Sequence, residues 1–298
     1  MALMIAVGAP DLLSDGAYLL PALDRLGIIG TPLPWGEPID PGLFDGAVIR
    51  NTWDYVNDLR GFLAWCEQTA ARLPLANPVE VLAWNSDKRY LRDLATAGVP
   101  TIPTVWVGPG EELVEPPWER FVVKPAISVA ATSTAAYDRT RMRQARRHVA
   151  AITAGGVVAM IQPYLASIDL EGEIGTYVIG QDVTHAIRRA GVLQPGALPV
   201  ADLTLVRRQP VTGWPVADEH ARFARDVLQR VPGGPDSLLY ARVDTVRGED
   251  GELLLLEVEC VAPYLFLKHS PGCADRVAAA IAAWLEGSQP LAAGRGPR

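Results

Sequence analysis

The sequence predicts an α/β (α+β) protein, in which a small parallel α/β domain is followed by a region of antiparallel sheet and helices. Two observations carry this prediction. Over the first 75 residues, short apolar runs alternate with amphipathic segments, the pattern of parallel strands covered by helices. From residue 120 onward, strand-like runs become frequent, and two of them flank Asp250-Gly251, a dipeptide typical of hairpin turns.

The composition excludes several classes of protein. The chain has 298 residues, is 49% hydrophobic and 20% charged, and so fits a folded protein. Its net charge of −7 argues against a nucleic-acid partner held by bulk charge. Cys66, Cys260 and Cys273 are widely spaced, which excludes a disulfide framework and a thiolate zinc site. Because no apolar run approaches the roughly 20 residues that span a bilayer, we expect a cytoplasmic protein without a membrane partner.

The N-terminal part reads as alternating strands and helices. Strands are predicted at residues 3–7 and 47–49, and helices at 15–26 and 61–73. Pro21 lies inside the first of these helices, which makes its boundaries less certain than its existence. An open parallel sheet of this kind offers a ligand crevice at the carboxyl ends of its strands.

The segment IRNTWDY, residues 49–55, follows the second predicted strand and therefore falls at that crevice. Arg50 can fork onto a substrate carboxylate, and Asp54 can hold an amine. Trp53 and Tyr55 can form the walls of the same site, or they can simply pack against the next domain. This segment is our candidate substrate clamp.

Two lysines lie at positions that suit phosphate binding. Ser86 is predicted to cap a helix that runs to Ala97, which puts Lys88 in the first turn. Lys124 ends the apolar strand FVVK, where a cation needs an anionic partner or a route to solvent. A surface lysine with a buried stem is the alternative for each. Further helices are predicted at residues 140–153, 218–231 and 275–286.

The run VVAMIQPYL, residues 157–165, predicts a buried strand that ends at a hinge. Pro163 must interrupt the ladder of hydrogen bonds and leaves backbone groups free beside apolar walls. Such groups can read the edge of an adenine, although the end of an edge strand is an equally simple interpretation. The acids that follow, Asp169, Glu171 and Glu173, can accept from ribose hydroxyls or form a solvated loop.

The segment 238–260 predicts a hairpin that carries paired charges. With Asp250-Gly251 at the turn, Asp244 lies opposite Glu257 and Arg242 opposite Glu259 on one face. Two acids directly across a ladder repel each other unless something compensates. A divalent cation can do so, and carboxylates without nearby His or Cys suit Mg²⁺ or Mn²⁺. An exposed face with one Arg–Glu pair is the alternative.

The order of these features resembles the ATP-grasp ligases of the glutathione-synthetase type. The likeness rests on the SDK helix start, the strand ending KP, the QPYL hinge with a downstream acid, and RVD followed by ExE. It covers nearly the whole chain and implies the ATP-grasp fold. The implied domains are residues 1–80 on the substrate side, 81–165 ending at the adenine hinge, 166–290 with the metal carboxylates, and a tail at 291–298.

The resemblance also implies a role for each candidate residue. ATP phosphates would contact Lys88 and Lys124, adenine would contact Gln162, Tyr164 and Leu165, and ribose would contact Glu173. The metal ligands would be Asp244, Glu257 and Glu259. Arg242 and Lys124 would act on the transferred phosphoryl group, and Arg188 offers a further cation or is a surface arginine. The lone His185 and His269 are not candidates.

Two departures from the family pattern stand out. The third metal position is commonly Asn, and here it is Glu259. The loop after Lys124 lacks the glycines that usually let backbone amides wrap phosphates, so the hydroxyls of Ser128, Thr132 and Ser133 would have to substitute.

A narrower likeness concerns RNTWDY, WNSDKRYL and YARVD with LEVEC, which resemble the subgroup containing the D-cycloserine synthetase of actinomycetes. It implies a Mg²⁺/ATP-dependent carboxylate–amine ligase that forms an acyl phosphate, and in its narrowest form one that cyclises O-ureido-D-serine. An intermolecular amino-acid or peptide ligase and a non-catalytic ATP-binding regulatory module stay open as alternatives. So does the oligomeric state, which includes a homo-oligomer.

Overall fold

Three sheets organise the part of the chain that the computed structural model describes, residues 2–8, 15–191, 193, 199 and 210–288. The first unit consists of β1 (Ala2–Val7), α1 (Gly16–Arg25), β2 (Ile29–Pro34), β3 (Gly46–Ile49), α2 (Leu59–Ala70) and β4 (Leu75–Ala76). Its strands are parallel and lie in the order β2–β1–β3–β4. The predicted N-terminal parallel sheet is therefore confirmed.

The second sheet is antiparallel. Its unit consists of α3 (Val79–Asn85), α4 (Tyr90–Thr96), β5 (Val105–Val107), β6 (Arg120–Pro125), β7 (Ala135–Asp138), α5 (Met142–Ala154) and β8 (Ala159–Pro163). The strand order is β5–β8–β6–β7. Helix α5 buries Ala145, Val149 and Ile152 in one core with the sheet.

The third sheet, also antiparallel, has the order β11–β10–β9–β12–β13. Its unit consists of α6 (Ser167–Leu170), β9 (Glu173–Ile179), β10 (Asp182–Arg189), β11 (Val211–Trp214), α7 (Asp218–Leu228), β12 (Tyr240–Arg247), β13 (Leu253–Glu259) and α8 (Cys273–Ser288). The sheets fall within the predicted segments 1–80, 81–165 and 166–290, whose boundaries stay predictions. The predicted tail at 291–298 lies outside the described residues.

The first and third sheets share one hydrophobic core. Ile5 of β1 is buried in the same cluster as Tyr177 of β9 and Ile281 of α8. Helix α8 comes so close to β3 that a Cβ on Gly46 would lie 2.6 Å from the Leu285 Cδ2. A glycine is therefore needed where these two elements meet.

Buried asparagines on either side of helix α3, Asn77 before it and Asn85 at its end, bond to the third unit. Asn77 donates from Nδ2 to the carbonyl oxygens of Tyr240 at 2.9 Å and Cys260 at 2.6 Å. Its Oδ1 accepts the N–H of Leu239 at 2.8 Å. Asn85 makes a related contact, accepting the N–H of Cys260 at 2.6 Å. These side chains replace backbone partners that the ends of β12 and β13 lack.

The predicted helix start at Ser86 is wrong. Ser86 caps the C-terminal end of α3, where its Oγ donates to the Leu82 carbonyl at 2.7 Å. Helix α3 begins directly after Pro78, whose fixed φ suits a helix start. Lys88 therefore lies in the turn between α3 and α4, and its N–H donates to the Ala126 carbonyl at 2.8 Å.

The other predicted helices are confirmed within three residues at each end, as α1, α2, α5, α7 and α8. Pro21 lies inside α1 without ending it. None of the helices in the described ranges is long and apolar enough to cross a membrane.

The predicted hairpin pairing is confirmed. Asp244 lies opposite Glu257, and Arg242 lies opposite Glu259, in the antiparallel ladder of β12 and β13. The two pairs are separated by two residues on each strand, so all four side chains share one face of the sheet.

The turn of this hairpin differs from the prediction. The Gly248 N–H donates to the Glu252 carbonyl at 2.9 Å, so the turn covers residues 249–251 rather than two residues. The ladder near the turn is thus shifted, and a bulge at Leu256 restores the predicted register before Asp244 is reached. The shift at the turn and the bulge cancel each other, so the predicted pairs form.

We predict that Asn77→Ala lowers the free energy of unfolding by about 2–4 kcal/mol, because it leaves three buried backbone groups without partners. Urea denaturation followed by circular dichroism measures the change. Asn57→Ala is the matched control on an exposed asparagine and should change stability by less than about 0.5 kcal/mol. Equal effects of the two substitutions would contradict the assigned role of Asn77.

Candidate active site

A cavity of about 910 Å³ lies between the second and third sheets, within the usual size range of small-molecule sites. Its apolar part is lined by Ile102, Val122, Leu165, Ile168 and Leu256. Its charged part is lined by Lys88, Lys124, Glu173, Arg189, Arg242, Glu257 and Glu259. Its aromatic part is lined by Trp53, Tyr55, Tyr264 and Phe266.

The hinge residues border the apolar part. Gln162 is 4% exposed, and its Nε2 donates to the Thr104 Oγ1 at 2.9 Å. The Tyr164 N–H is already bonded to the Arg120 carbonyl at 3.0 Å. Within the described ranges, no hydrogen bond engages the N–H of Leu165. The free backbone donor at the hinge is therefore that of Leu165.

The Tyr164 side chain is fixed beside the cavity. Its hydroxyl donates to both carboxylate oxygens of Asp169, at 2.8 and 2.7 Å. The guanidinium of Arg120 lies 4.0 Å from its ring centroid, a cation–π distance. Asp169 therefore orients an aromatic ring of the cavity wall.

The two predicted phosphate lysines both line the cavity, in different states. The buried Lys88 donates from Nζ to the Ser128 carbonyl at 2.7 Å and lies 3.2 Å from a Glu257 carboxylate oxygen. Lys124 has no ion pair in the described ranges. Burial lowers the pKa of Lys124 to about 8, against the opposing field of Glu257. Lys124 is thus a cation held in the cavity without a direct partner.

The loop after Lys124 adopts the backbone conformation that glycines would favour. Ala130, Ala131 and Ser133 have φ values of 57°, 55° and 52°, in the left-handed region. The Thr132 hydroxyl donates its proton to the Val129 carbonyl at 2.8 Å, within the loop itself. The glycine-poor sequence therefore does not prevent the left-handed turns, although each costs roughly 1 kcal/mol or more in an L-residue.

A cluster of buried charges surrounds Asp244. Arg242 donates to its carboxylate from Nε at 2.8 Å and from Nη2 at 2.9 Å, and Arg189 donates at 2.6 Å. Arg242 also lies 2.6 Å from Glu259, and Arg189 lies 3.2 Å from Glu173. Against the cost of burial, the two guanidinium groups hold the pKa of Asp244 below its ordinary value. Burial raises the pKa of Glu259, although Arg242 opposes the rise.

The oxygen donors of the charged part fit a hard cation such as Mg²⁺, which uses one or two carboxylates together with phosphate oxygens and water. The side chains of Glu257 and Glu259 are 29% and 21% exposed, whereas that of Asp244 is 1% exposed. No three His, Cys, Asp or Glu side chains in the described part of the chain converge closely enough to surround a metal. Because two guanidinium groups enclose Asp244, Glu257 and Glu259 are the members of the predicted three-carboxylate set that are open to the cavity.

Two residues of the predicted substrate clamp make contacts outside the cavity. Arg50 is 3% exposed, donates from Nη2 to the Pro263 carbonyl at 3.0 Å, and lies 3.7 Å from Asp15. Asp54 accepts the Trp35 indole N–H at 2.8 Å. Neither Arg50 nor Asp54 lines the cavity, because both are used in contacts that hold the fold together. Trp53 and Tyr55, from the same predicted segment, do line it.

A loop of the cavity wall, residues 262–267, is held by side chains along its length. The carbonyls from Ala262 to Leu265 accept, in order, from Trp53 Nε1 at 2.8 Å, Arg50 Nη2 at 3.0 Å, Tyr177 OH at 2.8 Å and His185 Nε2 at 2.9 Å. Burial lowers the pKa of His185 to about 4, so its ring is neutral at pH 7. Asp15 accepts the N–H groups of Leu265 and Leu267 at 2.7 and 3.0 Å. The loop is therefore fixed before any ligand binds.

Arg188 and Arg189 differ in their relation to the cavity. Arg188, the predicted substrate residue, donates to the carbonyls of Glu171 and Leu170 and does not line the cavity. Arg189 lines the cavity and lies opposite Glu173. A bulge at position 184 shifts the ladder of β9 and β10 by one residue.

Several lining residues were missed by the sequence analysis. They are Asn85, Arg189, Tyr264, Phe266, Lys268 and His269. The loop after β13 carries no local sequence motif, so the sequence does not predict that this loop reaches the cavity. The sequence could have predicted the pairing of Arg189 with Glu173 in the β9–β10 hairpin only if it had also indicated the bulge.

Comparison with known proteins identifies close relatives. The family model for the N-terminal domain of the D-cycloserine synthetase DcsG matches residues 1–77. The cycloserine biosynthesis protein DcsG of Streptomyces lavendulae is 33% identical over 279 residues, covering 90% of this chain and 93% of that protein.

Solved structures extend the comparison to the fold. The crystal structure of D-cycloserine synthetase DcsG matches with a TM-score of 0.86 and 30% identity, covering 96% of this chain and all of that one. A D-alanine–D-alanine ligase from Bacillus anthracis, solved with ATP, matches with a TM-score of 0.68 and 15% identity over 96% of this chain and 98% of that one, a likeness of fold. The chain therefore belongs to the D-cycloserine synthetase family of ATP-grasp ligases, which confirms the predicted fold and the predicted enzyme class, an ATP-dependent, ADP-forming ligase.

Proposed function

We propose that the protein is a Mg²⁺/ATP-dependent carboxylate–amine ligase that closes the ring of O-ureido-D-serine to give D-cycloserine. One observation carries the proposal: a single cavity brings together an apolar slot, a hinge, the cations Lys88, Lys124, Arg189 and Arg242, and the accessible carboxylates Glu257 and Glu259. Resemblance to DcsG over nearly the whole chain supports the substrate. We also propose the predicted three-domain division, which the three sheets support, and a cytoplasmic location, which three buried free thiols support.

In this proposal, the adenine of ATP occupies the apolar slot. Gln162 and the backbone of Tyr164 and Leu165 bond to the base, with the Leu165 N–H as donor. Glu173, which lines the cavity, accepts from a ribose hydroxyl. The phosphates then extend to Lys88, Lys124 and the left-handed loop at 130–133, which borders the same cavity.

Glu257 and Glu259 hold Mg²⁺ in this proposal, and Mn²⁺ suits the same oxygen donors. When bound, the ion would neutralise part of the charge of the phosphates. Asp244 acts as a positioning residue, because its carboxylate fixes the guanidinium groups of Arg242 and Arg189. In this proposal Glu257 and Glu259 thus bind the metal, whereas Asp244 aligns the two guanidinium groups.

The proposed chemistry begins with transfer of the ATP γ-phosphoryl group to the substrate carboxylate. Arg242 and Lys124 stabilise the negative charge of the transferred group. The ureido nitrogen bonded to oxygen then attacks the acyl carbon, closes the five-membered ring and expels phosphate. One water hydrolyses the carbamoyl group, which leaves as carbon dioxide and ammonia. The aromatic part, with Trp53, Tyr264 and Phe266, surrounds the small substrate.

The direct test is ADP release with O-ureido-D-serine as the sole amino-acid substrate. We expect turnover and D-cycloserine by mass spectrometry, because the cyclisation needs no second amine. Turnover that requires an added amino acid would indicate an intermolecular ligase instead. ATP binding without ADP release over a broad panel of amino acids would indicate a regulatory module.

For the metal site, we predict that Glu257→Gln and Glu259→Gln each weaken Mn²⁺ binding in the presence of ADP by at least about tenfold, because each removes a charged ligand. Electron paramagnetic resonance of free Mn²⁺ gives the affinity. Asp244→Asn should leave Mn²⁺ affinity within about threefold and lower kcat, because Arg242 loses its anchor. The matched control is Glu249→Gln on the exposed turn, which should change neither quantity. Loss of Mn²⁺ binding in a folded Asp244→Asn protein would make Asp244 a ligand.

The pKa of Lys124 near 8 predicts how nucleotide binding depends on pH. The ammonium is charged at pH 7 and loses its proton as the pH rises through 8, so the affinity for a non-hydrolysable ATP analogue should fall between pH 7 and 9. Lys124→Met should bind more weakly at pH 7 and show little change over that range. Calorimetric titrations provide the dissociation constants. Equal pH profiles for both proteins would show that Lys124 does not bind the phosphates.

A further inference from the structure

Thr104 lies outside the hinge but controls the orientation of a hinge side chain. It directly precedes β5, and Val105 pairs with Ile161 of β8, so Thr104 lies beside Gln162. The Gln162 Nε2 lies 2.9 Å from the Thr104 Oγ1. The Thr104 hydroxyl in turn lies 2.9 Å from the Ile102 carbonyl oxygen.

These two contacts have only one consistent assignment of hydrogens. The Ile102 carbonyl can only accept, so the single hydroxyl proton of Thr104 is donated to it. The Thr104 oxygen is then left with lone pairs and must accept from the group beside it. Only the amide nitrogen of Gln162 can donate to it, which fixes the amide with its nitrogen toward Thr104.

The opposite end of the amide consequently faces the cavity. Gln162 lines the cavity, and its Oε1 has no hydrogen-bond partner in the described residues. Among the described residues, Gln162 Oε1 is not one of the fully buried side-chain atoms that lack a hydrogen-bond partner. It is therefore accessible from open space. The hinge therefore presents an acceptor at Gln162 and a donor at the Leu165 N–H, three residues along the chain.

We propose that Thr104 is a positioning residue for nucleotide selectivity, a role that rests on the proposed ATP-dependent function. An acceptor beside a donor matches the amino group and the neighbouring ring nitrogen of adenine. Guanine presents a carbonyl oxygen and a ring N–H in the same places, which would set acceptor against acceptor and donor against donor. A flipped amide would remove the first of these conflicts and so reduce the discrimination against guanine.

The test compares binding of the non-hydrolysable analogues AMPPNP and GMPPNP by calorimetry. Thr104→Val keeps the shape of the side chain but removes the acceptor that holds the amide nitrogen. We expect the ratio of AMPPNP to GMPPNP affinity to fall roughly five- to tenfold, the size of one hydrogen bond. Thr104→Ser keeps the hydroxyl and should keep the wild-type ratio. Thr104→Ala also lacks the acceptor and replaces Thr104→Val if that protein does not fold.

The outcomes separate this inference from the proposed function. A wild-type protein that does not bind AMPPNP would overturn the proposed function and the inference with it. Tight AMPPNP binding by wild type, with an unchanged affinity ratio in Thr104→Val and Thr104→Ala, would overturn the role of Thr104 alone. A uniform loss of affinity for both analogues would likewise show that Thr104 only supports the fold.

Discussion

The charge cluster around Asp244 is the constraint on which the rest of the cavity depends. A fully buried carboxylate is costly unless cations and hydrogen bonds surround it, and Asp244 is held by Arg242 and Arg189. These arginines also form ion pairs with Glu259 and Glu173, which face the cavity. With Lys88 paired to Glu257 and Lys124 unpaired, four cations meet four carboxylates in this region. The region is neutral as a whole, and each charge fixes the position of its neighbour.

This neutrality shapes how a nucleotide and a metal would enter in the proposed function. Glu257 and Glu259 are each held by a cation, Lys88 in one case and Arg242 in the other. If Mg²⁺ were bound by these carboxylates, both cations would lose their partners, and triphosphate oxygens would be available to them instead. Replacing one set of ion pairs by another would limit the number of unpaired buried charges, each of which costs several kcal/mol. Asp244 keeps its partners throughout and preserves the alignment.

The sequence predicted those parts of the fold that short-range pattern determines. Period-two alternation and the Asp-Gly turn were enough to pair Asp244 with Glu257, and helical spacing located five helices. The bulges could not be predicted, because an extra residue in a strand leaves no mark in composition or periodicity. The bulge at Leu256 cancels an error in the predicted turn, and a second bulge lies at position 184. The contact of Arg50 could not be predicted for another reason: its partner Pro263 is more than two hundred residues away along the chain.

The N-terminal unit contributes to the site by holding a loop in place. Four consecutive carbonyls at 262–265 accept from side chains of three different regions, so every one of these backbone groups has a specific partner. A segment with this many directed bonds loses little further conformational freedom when a ligand binds. The loop carries Tyr264 and Phe266 into the cavity in fixed positions, and Phe266 adopts a left-handed φ of 49° that the surrounding bonds maintain. For a small substrate with few atoms to recognise, a rigid wall discriminates better than a loop that closes around it. In the proposed function, Arg50 would therefore affect substrate recognition by holding this wall, without contacting the substrate.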